Sequence, residues 1–421
     1  MIPRQNFENL DAQDPLAPLR DLFKLPEGGI YLDGNSLGAM PKATAARVQR
    51  VIHDEWGRDL IQSWNKAGWI DLPRQVGDKI ARLVGAGPGE VVVADSTSVN
   101  LFKVLSAALR ICKEDRPERR VILSEITNFP TDLYIAASLA REQGLRLELA
   151  EPDEIPSRLD NEVAVLLLTQ VNYRTGRLHD MAALTRAAHR AGALAIWDLA
   201  HSAGALPVNL MGDGSVEEAA DFAVGCGYKF LNGGPGAPAF VWAHPRHADR
   251  FWQPLSGWLG HVAPFEFTPG YQPAPGIGRY LCGTPPVLSL AALECGVDTL
   301  LAAEPMGGLP ALREKSTTLT GAFIRQVEEI GAGFDLTLVT PREAHQRGSQ
   351  VSFAHPEGGY PIMQALQARG VIGDFRAPDI LRFGFTPLYT RHVDVWDAVE
   401  HLHAVLKSGE WREARFHERG L

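Results

Sequence analysis

The chain of 421 residues is 45% hydrophobic and 22% charged, the make-up of a globular protein with room for two or three cores. Its 41 Lys and Arg against 50 Asp and Glu leave a net charge of -9 and no basic run that could track a phosphate backbone, so nucleic acid is not an expected partner. The start lacks an apolar leader, no stretch reaches the ~18 apolar residues of a membrane span, and Cys112, Cys226, Cys282 and Cys295 show neither zinc nor disulfide spacing. A cytoplasmic protein with no membrane partner and no metal is expected.

Residues 1–62 cannot build a core alone and are expected to pack on the C-terminal part or on a partner chain. Beyond them, apolar strands alternate with helical periodicity, which predicts an α/β fold with a mostly parallel central sheet flanked by helices. In chain order the expected elements are a strand at Val91–Ala94, a helix at Val99–Ile111, a strand at Val121–Leu123, a helix at Thr131–Gln143, strands at Leu145–Leu149 and Val163–Leu168, a helix at Met181–Ala191, and strands at Ala193–Trp197, Asp221–Val224 and Ala239–Trp242. Gly257 to Pro286 is rich in Gly, Pro and aromatics and reads as a long functional loop. Helices at Val287–Leu301 and Leu309–Ile330 then lead into a smaller α/β unit with strands at Leu336–Val339, Gln350–Phe353, Val371–Gly373 and Ile380–Phe383. The layout is a large domain over 63–285 and a small one over 286–421.

Polar groups at the carboxyl ends of such strands mark a ligand crevice. After the first strand, Asp95-Ser96-Thr97-Ser98 opens a helix, so hydroxyls, backbone N–H groups and the helix dipole could face a phosphate; an N-capping cluster needs no ligand and accounts for the same residues. Asp198 ends an apolar strand and needs a cation or a proton; a pyridinium nitrogen would serve, and so would an N-cap role. Phe129 could stack on a flat ring, with Asp132 a helical step beyond it, and Thr169 could bond a ring substituent. Lys229 follows the strand Asp221–Val224 between glycines in Gly225-Cys226-Gly227-Tyr228-Lys229-Phe230-Leu231-Asn232-Gly233-Gly234-Pro235-Gly236, as a carbonyl-binding lysine is presented. Together these features describe pyridoxal phosphate held at three points.

These residues resemble the aminotransferase-like (fold type I) pyridoxal-phosphate enzymes and, within them, the kynureninases. The resemblance rests on Tyr31-Leu32-Asp33-Gly34-Asn35-Ser36-Leu37-Gly38, Gln62-Ser63-Trp64, Asn128-Phe129-Pro130-Thr131-Asp132, Asp198-Leu199-Ala200-His201, the lysine motif, Gly257-Trp258-Leu259-Gly260-His261 and Pro387-Leu388-Tyr389. It implies hydrolytic cleavage of L-kynurenine, and of its 3-hydroxy form, to an anthranilate and L-alanine in tryptophan catabolism, with pyridoxal 5'-phosphate as cofactor. It further implies that Lys229 holds the cofactor, that Asp198 pairs with its ring nitrogen, and that Phe129 lies over the ring. Thr97, Ser98, Asp132, Thr169, His201, Tyr228, Trp258 and Thr284 would surround phosphate and ring, the last two reaching over from the partner in a homodimer. Tyr228 would deliver a proton or contact the phosphate. Asn35, Ser36 and Trp64 would line the substrate end, and Arg382 would clamp the substrate carboxylate. At Thr284 some relatives carry an amide, which bears on the ring hydroxyl. A cysteine desulfurase or aminotransferase on the same fold, or a silent cofactor-binding regulator, are the alternatives.

Overall fold

The structure, a computed structural model, describes residues 2–331 and 333–418. A seven-stranded sheet is built from β1 (Val91–Val93), β2 (Val121–Glu125), β3 (Arg146–Ala150), β4 (Val163–Thr169), β5 (Leu194–Asp198), β6 (Phe222–Gly225) and β7 (Phe240–Ala243), in the order β1-β7-β6-β5-β4-β2-β3. Every neighbouring pair is parallel except the two made by β7. All but the edge strand β3, which carries Arg146 and Glu148, are apolar on both faces because helices cover both. Val91, Val93, Leu123, Leu166 and Trp197 pack against the helices Leu72–Val84, Met181–Ala191 and Val287–Leu301. The alternate residues Val92, Ile122, Val165, Leu167 and Ile196 pack against Thr97–Asp115 and Pro130–Gln143. The helix Leu72–Val84 was not among the expected elements, although it buries Leu72, Val76, Ile80 and Leu83 at helical spacing and stops at Gly85 with φ 66, a left-handed C-cap.

A second sheet is antiparallel throughout, in the order β8 (Thr337–Leu338), β9 (Gln350–Ala354), β11 (Ile380–Gly384), β10 (Asp374–Arg376). Its core gathers Phe353, Leu381 and Phe383 around Phe323 and the helices Gly308–Gly331, Gly359–Ala368 and His392–Ser408. The expected strand at Val371–Gly373 is present as Val371–Ile372. Val371–Ile372 lies outside this sheet and pairs in parallel with Ile30–Tyr31, while β10 takes the fourth place. Asp374-Phe375-Arg376 offers no apolar run because all three residues are half-buried at a sheet edge.

The N-terminal segment is stitched to this second sheet. Leu32 donates its N–H to the carbonyl of Ile372 at 2.7 Å and accepts from Gly384 at 2.6 Å. The helix Arg4–Ala12 packs on His392–Ser408, where the Asp11 carboxylate accepts from the backbone N–H groups of His392 and Val393 at 2.7 and 2.9 Å. Between the sheets, the carbonyl of Tyr173, in the loop after β4, accepts from Gln350 at 2.9 Å and Arg382 at 2.6 Å. In register, Thr169 stands beside Asp198 and Asp198 beside Val224, so the loops after β4, β5 and β6 open on one place.

Candidate active site

That place is a cavity of about 420 Å³. Thr97, Ser98, Phe129, Asp132, Thr169, Asp198, His201, Tyr228 and Lys229 all line it, although they come from segments spread over more than a hundred residues of chain. At its wall the Ser96 hydroxyl accepts from the N–H of Val99 at 3.4 Å and caps the helix Thr97–Asp115. The cap and a phosphate site are therefore compatible: the helix N-terminus with the Thr97 and Ser98 hydroxyls still faces the cavity.

Asp198 ends β5 and is 3% exposed. Its carboxylate accepts from the N–H of Ala200 at 2.7 Å and lies 3.5 Å from the Thr169 hydroxyl, and no cation closes an ion pair with it among the described residues. Burial raises Asp198, and burial with the neighbouring Asp198 charge raises Asp132 well above the usual carboxylate range. Two buried carboxyls in contact cannot both stay ionised, so Asp132 carries the proton and Asp198 the charge. A buried anion at the cavity's base with no cation of its own fits the protonated ring nitrogen of pyridoxal phosphate.

Lys229 Nζ lies 2.9 Å from His201 Nε2. Burial, then the lysine charge, pushes His201 well below its ordinary value, so a neutral imidazole accepts from the ammonium. The turn that aims Lys229 leaves no room for side chains: a Cβ on Gly227 would sit 2.4 Å from the Pro238 carbonyl oxygen. Tyr228 is pushed up to about 12, mainly by burial, and remains a phenol at neutral pH. Phe129 is 41% exposed at the mouth and meets the Tyr173 ring edge-on at 5.3 Å.

The remaining expected residues lie outside the cavity lining of this chain. Arg382, 1% exposed on β11, faces Asp374 directly across the strand pair. It donates through Nε to Asp374 Oδ1 at 2.8 Å and through NH2 to Asp374 Oδ2 and to Ser36 Oγ, the latter at 2.8 Å. Asn35 is fully buried, with both amide atoms lacking a partner. Trp64 and Trp258 pack edge-on at 5.8 Å, and Thr284 is exposed. Sequence reasoning missed Tyr173, whose only signal was an aromatic just past a strand end, and Asp374, which carried none.

Solved structures match the architecture at low identity. A cysteine desulfurase from Thermococcus onnurineus NA1 superposes with a TM-score of 0.77 and 19% identity over 93% of this chain and 98% of that one. The cystine C–S lyase C-DES gives 0.74 and 17% over 90% and 97%. The fold is thus the aminotransferase-like fold type I of pyridoxal-phosphate enzymes.

Sequence relatives narrow this further. Kynureninases of Burkholderia pseudomallei (strain 1106a) and Pseudomonas fluorescens are both 57% identical, over 100% of this chain and 99% of theirs. A profile of the kynureninase C-terminal domain matches residues 312–402. The chain belongs to the kynureninase family.

Proposed function

We propose that this enzyme hydrolyses the Cβ–Cγ bond of L-kynurenine, releasing anthranilate and L-alanine, with pyridoxal 5'-phosphate in the cavity around Lys229. The observation that carries the reading is the joint presence, in one cavity, of an ammonium on a neutral imidazole and a buried carboxylate without a cation, in a chain that matches kynureninases along its whole length. When bound, the cofactor supplies an aldehyde for the substrate amine and a ring that takes up electrons.

The protein's own groups then have distinct tasks. Asp198, kept anionic by the protonated Asp132, holds the proton on the ring nitrogen. Lys229 Nζ would hold the cofactor and, once released, would accept the proton from substrate Cα, with His201 positioning it through their hydrogen bond. Tyr228 Oη holds its proton at neutral pH and can deliver it to the departing carbon. Thr97, Ser98 and the helix N-terminus bind phosphate, while Phe129 and Thr169 meet the ring. Arg382 takes the substrate carboxylate, with Ser36 bonded to it and Asn35 next in the chain.

The same reading makes the enzyme a homodimer. Trp258, packed against the exposed Phe265 and Phe267, and Thr284 lie outside their own chain's cavity and serve the partner's site. An apolar cleft of about 430 Å³ lined by Val51, Trp56, Trp69 and Leu288 shares Pro286 and Ser289 with the cavity and supports that contact. The proposed division is 1–62, 63–285 and 286–421, the first strapping the last through Ile30–Tyr31 and Val371–Ile372, with the helix Val287–Leu301 of the last packed on the seven-stranded sheet. No helix among the described residues is long and apolar enough to cross a membrane. A desulfurase is not favoured: the loop cysteine such an enzyme would use, Cys282, lies outside the cavity lining, and burial pushes up the thiol of Cys226, which does line it. Incubation with pyridoxal phosphate and L-kynurenine should yield fluorescent anthranilate and equimolar alanine; release of sulfide from cysteine without anthranilate would overturn the reading.

A further inference from the structure

We propose that Lys103 is a positioning residue for the cofactor phosphate, acting through Asp95; this rests on the cavity being the pyridoxal-phosphate site. Lys103 lies on the helix Thr97–Asp115 and is 0% exposed, yet it carries an ammonium. Its Nζ has two partners: Asp95 Oδ2 at 2.5 Å and the carbonyl oxygen of Tyr280 at 2.5 Å. Asp95 is itself part of the cavity wall, next to Ser96, Thr97 and Ser98, and holds a left-handed backbone at φ 47.

A carboxylate in the wall of a phosphate site opposes its ligand, because both are anions at short range in a poorly screened cavity. Lys103 removes that opposition. A lysine cut off from water is retained only when paired, and here the pairing places one positive charge behind the turn that faces the phosphate. The turn's shape has other supports: Ala239 donates its N–H to the Asp95 carbonyl at 2.9 Å, Ala94 donates to Ala239 at 2.9 Å, and the Asn100 amide donates to the Ala94 carbonyl at 2.8 Å. The contribution peculiar to Lys103 is therefore charge. Its bond to Tyr280 ties the same point to the segment leading to Cys282-Gly283-Thr284.

The test measures the dissociation constant of pyridoxal phosphate from cofactor-stripped protein by quenching of tryptophan fluorescence, with melting temperatures in parallel. Lys103→Met is expected to weaken binding about tenfold, and adding Asp95→Asn to bring it back to within about threefold of the parent. Lys103→Gln, which keeps a donor but no charge, should lose affinity as Met does and regain it with Asp95→Asn; it carries the comparison if Lys103→Met fails to fold. KM for the substrate at saturating cofactor should not move. Equal losses with and without Asp95→Asn would mean a merely structural lysine and overturn the proposal, as would unchanged affinity in Lys103→Gln.

Discussion

Lys229 Nζ lies 2.9 Å from His201 Nε2, and the direction of that bond follows from the environment: the imidazole is buried and held neutral, so the ammonium donates. That bond holds the lysine at the cavity wall. His201→Leu keeps the bulk and removes the acceptor, leaving a charged amine against an apolar side chain. Cofactor affinity should fall about tenfold, read as the dissociation constant on stripped protein. Unchanged affinity would show that the contact does not position the lysine.

On the proposed reading, Lys229→Ala removes both the covalent anchor and the base. Turnover should drop by at least about a thousandfold, and borohydride should no longer fix the cofactor to the protein. A covalent adduct after reduction, located by peptide mass mapping, would place the anchor on another lysine.

Asp132 and Asp198 share a buried site with unequal proton affinity, and this makes their amide variants unequal too. Asparagine imitates a protonated acid, so Asp132→Asn should keep activity within about tenfold of the parent, whereas Asp198→Asn removes the charge proposed to pair with the ring nitrogen and should cost at least about a hundredfold. Kinetics at saturating cofactor decide it, and equal losses would mean that the proton assignment is wrong.

The contrast between those two aspartates bears on what a sequence can disclose. Asp198 was legible because a carboxylate closing a continuous apolar strand is anomalous, and Lys229 because glycines flank it. Six of the seven central strands were legible for a related reason, since burial on both faces leaves apolar runs, whereas the edge strand β3 alternates. The proton state of Asp132 was not, because it depends on a neighbour 66 residues away (198 − 132) that only the fold brings into the same cavity wall. Nor was the ion pair of Arg382: Asp374 and Arg382 face one another only once β10 and β11 pair, and β10 has no apolar signature of its own.

That ion pair sets the next expectation. Asp374 holds two of the guanidinium nitrogens of Arg382, and Ser36 Oγ donates to Asp374 Oδ2 at 2.7 Å. The fork is oriented from behind, as recognition of a planar carboxylate requires. Arg382→Ala should raise KM for the amino acid about a hundredfold with a smaller change in kcat, and Asp374→Asn should raise it about tenfold. An unchanged KM in Arg382→Ala would remove the arginine from the substrate site.

Asp33 provides a pH test of the same cluster. It lies beside Asp374, Arg376, Arg382 and Ser36, and burial followed by the Asp374 charge pushes it up to about 7 from 3.8. A carboxyl raised in the folded state takes up a proton on folding, so its contribution to stability is full below the unfolded value and is lost as pH rises through about 7. Arg376 and Arg382 moderate the loss without reversing it, because they favour the ionised form less than burial and Asp374 disfavour it. Asp33→Asn keeps the neutral shape at every pH. The variant should therefore melt above the parent at about pH 8.5, with the gap closing towards about pH 5 as the parent regains its proton. Background titrations are common to both proteins and cancel in the difference. A pH-independent offset between the two melting curves would show that Asp33 does not titrate in this window, and a gap widening towards acid would show that its folded value is lowered instead.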